Sequence, residues 1–100
     1  MLVILFCLAL NDSVILKARY TPVPGTDIEY AQGAIERCDV RHREIARLVW
    51  LIAVDPPGDA AEWQAKLNAN VDPKHGRFLV ECATNEEVEA VRSGTIVLQR

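Results

Sequence analysis

The chain has 100 residues, half of them hydrophobic and a quarter charged, with a formal charge of −3. That length carries one domain with a real core and is too short for two. Residues 1–50 hold six acids and six bases and residues 51–100 eight acids and five bases, which excludes the strong basic excess of a dedicated nucleic-acid binder but not a local patch.

The first ten residues, "MLVILFCLAL", are uninterruptedly apolar from Leu2 to Leu10. The run is too short to span a bilayer, has no Lys or Arg before it and lacks an A-x-A cleavage site. We therefore expect a strand covered on both faces and no membrane association. Asn11-Asp12 breaks the run, and residues 13–20 alternate, with Val14, Leu16, Ala18 and Tyr20 on one face and Lys17 and Arg19 on the other. This reads as a half-exposed strand hairpinned to the first. "TPVPG" at 21–25 ends it.

A first helix is expected from Thr26, whose spacing to Glu29 is that of a capping box. Ile28, Ala31, Ile35 and Cys38 form its buried stripe. Gly33 weakens it by about 1 kcal/mol relative to alanine and would allow close packing on a sheet. Residues 40–54 carry both helical spacing and β-branched crowding. We read them as two antiparallel strands, 40–45 and 47–54. "DPPGD" stops the second. Asp59 and Glu62 repeat the capping-box spacing, and Ala60, Trp63, Leu67 and Val71 mark the inner face of a second helix. The turn "DPKHG" leads into the strand "RFLVECA". Thr84 and Glu87 open a third helix over 85–93, closed by Gly94, and "TIVLQ" is a last short strand.

These elements predict one α+β domain over residues 1–100, with helices on one face of a mostly antiparallel sheet. The order β-α-β-β-α-β over residues 14–83 is that of a ferredoxin-like core, extended by an N-terminal strand and a C-terminal helix and strand.

Three stretches, "RYTPVPGTDIEY", "LVWLIAVDPPGDAAEWQAKL" and "NVDPKHGRFLVEC", resemble the small CRISPR-associated adaptation proteins and the related virulence-associated protein D endoribonucleases, over about residues 14–83. The resemblance implies a ferredoxin-like homodimer that binds nucleic acid or cuts RNA with a metal, and a terminal strand that extends the partner's sheet, a part "TIVLQR" could take. The family's metal ligand is an Asp at the end of the first core strand. Here Arg19-Tyr20 stands in that place. Asp12 ends the preceding strand but leads into another strand, so the resemblance supports fold and dimer and leaves the nuclease without its carboxylate.

Candidate sites are few. His75 with Asp72 in "DPKHG" could form an acid–base pair, but Pro73 and Gly76 give that loop its own turn logic. Arg37, Arg41, Arg43 and Arg47, with His42 among them, could grip phosphates, Arg41 and Arg43 from one strand face. The interleaved Glu36, Asp39 and Glu44 predict ion pairs on a solvated face instead. Asp55 and Asp59 flank "PPG" and could hold a cation, although a strand-ending Asp and a capping Asp account for both. Cys7, Cys38 and Cys82 show no metal spacing and read as reduced core thiols of a cytoplasmic protein. Trp50 and Trp63 read as core aromatics.

No cofactor motif and no catalytic constellation are legible. The expected function is non-catalytic assembly, by self-association or with a protein partner. A metal-dependent endoribonuclease and an arginine-patch RNA or DNA binder are the alternatives.

Overall fold

The structure, a computed structural model, describes residues 7, 9–10 and 13–100. Most of the apolar run at 2–10, the turn at 11–12 and the candidate ligand Asp12 lie outside the described residues. The elements are β1 (Ala9–Leu10), β2 (Ser13–Pro22), α1 (Glu29–Arg37), β3 (Arg41–Ala46), β4 (Val49–Val54), α2 (Ala60–Ala69), β5 (Gly76–Cys82) and α3 (Asn85–Arg92). The fold is α+β, and all strand pairs are antiparallel.

β2 is the centre of the sheet. Along one edge it pairs with β4, from Val14↔Val54 to Arg19↔Val49. Along the other it pairs with β5, from Leu16↔Cys82 to Pro22↔Gly76, and then with β1 at Ala9↔Val14. β3 lies outside β4, so the four long strands run in the order β5-β2-β4-β3.

Strand alternation sorts the apolar residues into two cores. On the face covered by α1 and α2, Val14, Leu16, Ala18 and Tyr20 of β2 meet Trp50, Ile52 and Val54 of β4, Phe78 and Val80 of β5, and Ala31, Ala34, Ile35 and Leu67 of the two helices. On the opposite face, Ile15, Leu51 and Ala53 meet Val88 of α3 and Leu98 of the C-terminal segment. Helices therefore lie on both faces, not on one. The third helix reads as an appendage in sequence because only one of its residues, Val88, is fully buried.

The start of α1 differs from the sequence reading. Its N-cap is Ile28, with no side-chain cap. Thr26 Oγ1 instead donates to the carbonyls of Val23 (2.6 Å) and His75 (2.9 Å), and Asp27 Oδ1 accepts the Glu29 amide at 2.8 Å. The later start leaves Ile28 outside the helix and exposed, while Ala31 and Ile35 keep their expected core places and Ala34 joins them. Gly33 permits no close approach, since a Cβ there would meet nothing within 4 Å.

The 40–54 hairpin is present. Its turn is held by Glu44 Oε2, which accepts the Leu48 amide at 3.0 Å, and Leu48 adopts a φ of 60°. Asp59 caps α2 by accepting from Ala61 N at 2.9 Å, and Gly58 before it has a φ of 64° in a place where a Cβ would sit 2.5 Å from Val14 Cβ. The expected last strand reduces to a single antiparallel pair, Gln99 with His42 on the outer edge of β3.

α3 carries the capping box read from sequence, with Thr84 and Glu87 bonded in both directions. Glu87 also faces Lys17 across the sheet, Oε1 to Nζ at 3.3 Å. Burial pushes the Glu87 carboxyl up, but the Thr84 hydrogen bonds and Lys17 outweigh it, so its pKa lies below the ordinary value. A carboxyl with a depressed folded pKa contributes stability above its unfolded pKa and loses it as pH falls through the folded one. The α3 layer is thus expected to loosen as pH falls below about 4.3, the usual glutamate value. Glu87→Gln should flatten that part of the acid unfolding profile followed by circular dichroism.

Among the described residues, no helix is long and apolar enough to cross a membrane.

Candidate functional site

A polar opening in the described fold lies between α1 and β3. α1 packs over β2 and β4 through Ala31, Ala34 and Ile35, which leaves the helix-side face of β3 open among the described residues. His42 and Glu44 are paired with Ile52 and Trp50 and so project there. The resulting cleft of about 440 Å³ is walled by Gln32 and Glu36 of α1 and by His42 and Glu44 of β3. Trp50 forms its floor, and Arg43, Gln99 and Arg100 its rim.

A short chain of hydrogen bonds crosses the floor. Trp50 Nε1–H donates to Gln32 Oε1 at 3.2 Å, and Gln32 Nε2–H donates to Glu36 Oε1 at 2.9 Å. Both ends of the Gln32 amide are thereby used. His42 is held by backbone and side chain together. Its N–H donates to Gln99 O at 2.8 Å, its carbonyl accepts from Gln99 N at 3.0 Å, and its Nδ1 lies 2.8 Å from Val40 O. A carbonyl can only accept, so Nδ1 carries a proton, which leaves Nε2 as the ring nitrogen able to accept in the uncharged tautomer. Neither Glu36 nor Glu44 takes part in an ion pair among the described residues.

The arginine group does not form one patch. Arg37 ends α1 and donates to Asn70 O at 3.2 Å. Arg41 and Arg43 do share a face of β3, since their partners Ala53 and Leu51 both belong to the α3-side core. Arg47 lies in the turn beyond the strand's far end, ~20 Å from Arg41 at 3.4 Å per residue. The interleaved acids do not pair with this group among the described residues. Asp39 meets Arg100 instead, at 3.6 Å.

"DPKHG" is a turn that laces two loops together. Asp72 Oδ1 accepts the Lys74 amide at 2.9 Å, so it serves the turn and does not orient the imidazole. His75 O accepts from Val23 N at 2.9 Å, and the His75 ring stacks on Tyr30, centroids 3.8 Å apart. Gly76 allows the close approach of β2, because a Cβ there would lie 2.6 Å from Thr21 O. Beside it, Tyr20 has a buried hydroxyl with no partner among the described residues. Burial, with Tyr30 nearby, pushes that phenol's pKa up.

Of the Asp55 and Asp59 pair, only the Asp59 carboxylate is taken up by a hydrogen bond to the chain among the described residues, while Asp55 serves the turn through its backbone. Asp55 O accepts the Gly58 amide at 3.1 Å, and Asp59 is the α2 cap. Among the described residues, no three His, Cys, Asp or Glu side chains gather as a metal would require.

Two of the three cysteines are not free thiols. Cys7 and Cys82 form a disulfide across 75 residues. The strand registers place them together. Ala9 pairs with Val14, so two residues back residue 7 falls level with Leu16, which is the partner of Cys82. Cys38 alone is free. Burial raises its pKa, partly offset by the Asn70 amide and Lys66, which makes it a poor nucleophile.

Sequence reading passed over Gln32, Gln99 and Arg100, because their meeting depends on the tail folding back on β3 and no local pattern encodes that. It did weigh Glu36, His42 and Glu44, but as surface charge beside arginines. The period-two projection of His42 and Glu44 was the available signal. No family model, curated protein or solved structure matches the chain.

Proposed function

We propose that this chain is a small, non-catalytic ferredoxin-like module that works by assembly, as a homodimer joined through the outer edge of β3. The strand order β5-β2-β4-β3 with helices between supports the ferredoxin-like reading, while kinship to the adaptation proteins rests on the sequence resemblance alone.

The observation that carries the proposal is the unequal treatment of the two sheet edges. Unpaired strand edges invite pairing with other chains, and proteins block the ones they do not use. On β5 the outward groups are sealed by side chains of α2. Asn68 Oδ1 accepts the Phe78 amide at 2.7 Å, Asn68 Nδ2 donates to Phe78 O at 3.1 Å, and Gln64 Oε1 accepts the Val80 amide at 2.9 Å. On β3 the cover among the described residues is one backbone pair from the tail residue Gln99, which a strand from a second copy can replace.

Light scattering after size exclusion tests this on the full chain, on a chain ending at Gly94 and on Gln99→Pro, which loses the N–H donated to His42 while keeping Leu98. Dimer should appear, and at lower concentration in the two altered forms. A monomer in all three defeats the proposal.

RNA or DNA binding through Arg41 and Arg43 is the second reading, favoured by their shared face and their lack of ion-pair partners among the described residues. Affinity would then fall with salt and on replacing both residues. The metal-dependent endoribonuclease reading draws no support from the described carboxylates. The Cys7–Cys82 bond favours an oxidising setting over the cytoplasmic one expected from sequence.

A further inference from the structure

We infer that the cleft between α1 and β3 is a binding site for a guanidinium group, carried by the strand that pairs with β3. The source of that group rests on the assembly reading above. The site itself rests on the inventory of unused hydrogen-bonding capacity around the cleft.

The donors in the floor are consumed. The Trp50 indole N–H is taken by Gln32, and one Gln32 amide hydrogen by Glu36. Apart from the second Gln32 amide hydrogen, what remains unused on the walls accepts. Glu36 has Oε2, Glu44 has Oε1 because its Oε2 holds the Leu48 amide, and His42 has Nε2 because its Nδ1 holds the Val40 carbonyl. Three acceptors, two of them anionic, converge on a space of about 440 Å³. An anion would be repelled by Glu36 and Glu44 and favoured by Arg43 and Arg100 at the rim. A guanidinium is planar, permanently charged and carries five N–H donors in a fixed fork, so it can bridge two carboxylates and an imidazole nitrogen. An ammonium offers three donors from one point and satisfies fewer of them.

The rim shows that such a group can arrive on a strand. Gln99 is paired with His42, and the next residue, Arg100, already lines this cleft while its Nη1 reaches Asp39 at 3.6 Å. Arg43 also stands at the rim, with Nη1 3.5 Å from Val97 O, and its charge opposes a second cation there. Selectivity therefore depends on the Glu36 and Glu44 carboxylates outweighing it.

The test uses the full chain and free L-arginine as the probe, with L-citrulline as its uncharged isostere. The two tryptophan indole N–H signals are followed by nuclear magnetic resonance. Arginine should shift the Trp50 signal in a saturable way and leave Trp63 in place. Citrulline should bind at least tenfold more weakly, as should arginine to the double variant Glu36→Gln, Glu44→Gln. Equal binding of arginine and citrulline, equal movement of Trp63, or no Trp50 shift would overturn the inference. A selective Trp50 shift in a chain that stays monomeric would sink the assembly reading and leave the cleft assignment standing.

Discussion

Trp50→Ala is expected to lower stability by about 3–5 kcal/mol, the usual cost of emptying a large aromatic site. Trp50 is only 2% exposed, stands opposite Ala18 on one side and Glu44 on the other, and lies 6.3 Å from the Phe78 ring. The cavity would open in the middle of the larger core, where β2 and β4 cannot collapse without breaking register. Small domains hold only about 5–15 kcal/mol in all, so the variant would be close to unfolding. Trp50→Phe keeps much of the apolar contact and leaves Gln32 Oε1 without its donor, a loss of about 1–3 kcal/mol. Trp63 supplies the contrast. It is half-buried with Lys66 Nζ 4.4 Å above its ring, and Trp63→Ala should cost clearly less. Denaturant titration orders the three variants, and a Trp63→Ala loss equal to that of Trp50→Ala would contradict this account.

Breaking the link between Cys7 and Cys82 is the second large effect. The bond closes a loop spanning 75 residues, and the chain-entropy relation gives about 4 kcal/mol for a loop of that length. It also secures β1, which pairs with β2 at two positions among the described residues. Reductant or Cys82→Ser should therefore lower the denaturant midpoint sharply, whereas Cys38→Ser should leave it nearly unchanged. A thiol reagent should count one accessible cysteine in the denatured, unreduced chain and three after reduction. Three before reduction would show that the bond is not formed.

The residues that reveal themselves in sequence do so through short-range periodicity. Val14, Leu16, Ala18 and Tyr20 alternate and share the larger core. Thr84 and Glu87 stand at the spacing of a capping box and form one. The 40–54 hairpin follows from β-branched crowding between two turn segments. The Thr26–Glu29 spacing is identical to that of Thr84–Glu87, yet Thr26 bonds back to Val23 and across to His75. A hydroxyl takes whichever partner the surrounding loops bring nearest, and the loop at residue 75 is distant in sequence.

The order of elements, the alternation of the strands and the absence of any local catalytic motif were thus determined by the chain itself, because each depends on residues within one or two turns of one another. The tertiary structure decided where α3 lies, which sheet edge is sealed, that Cys7 meets Cys82, and that Glu36, His42 and Glu44 face one cleft. Each of these joins segments distant in sequence, and a one-residue slip in strand register would have sent His42, Glu44 and Cys82 to the opposite face.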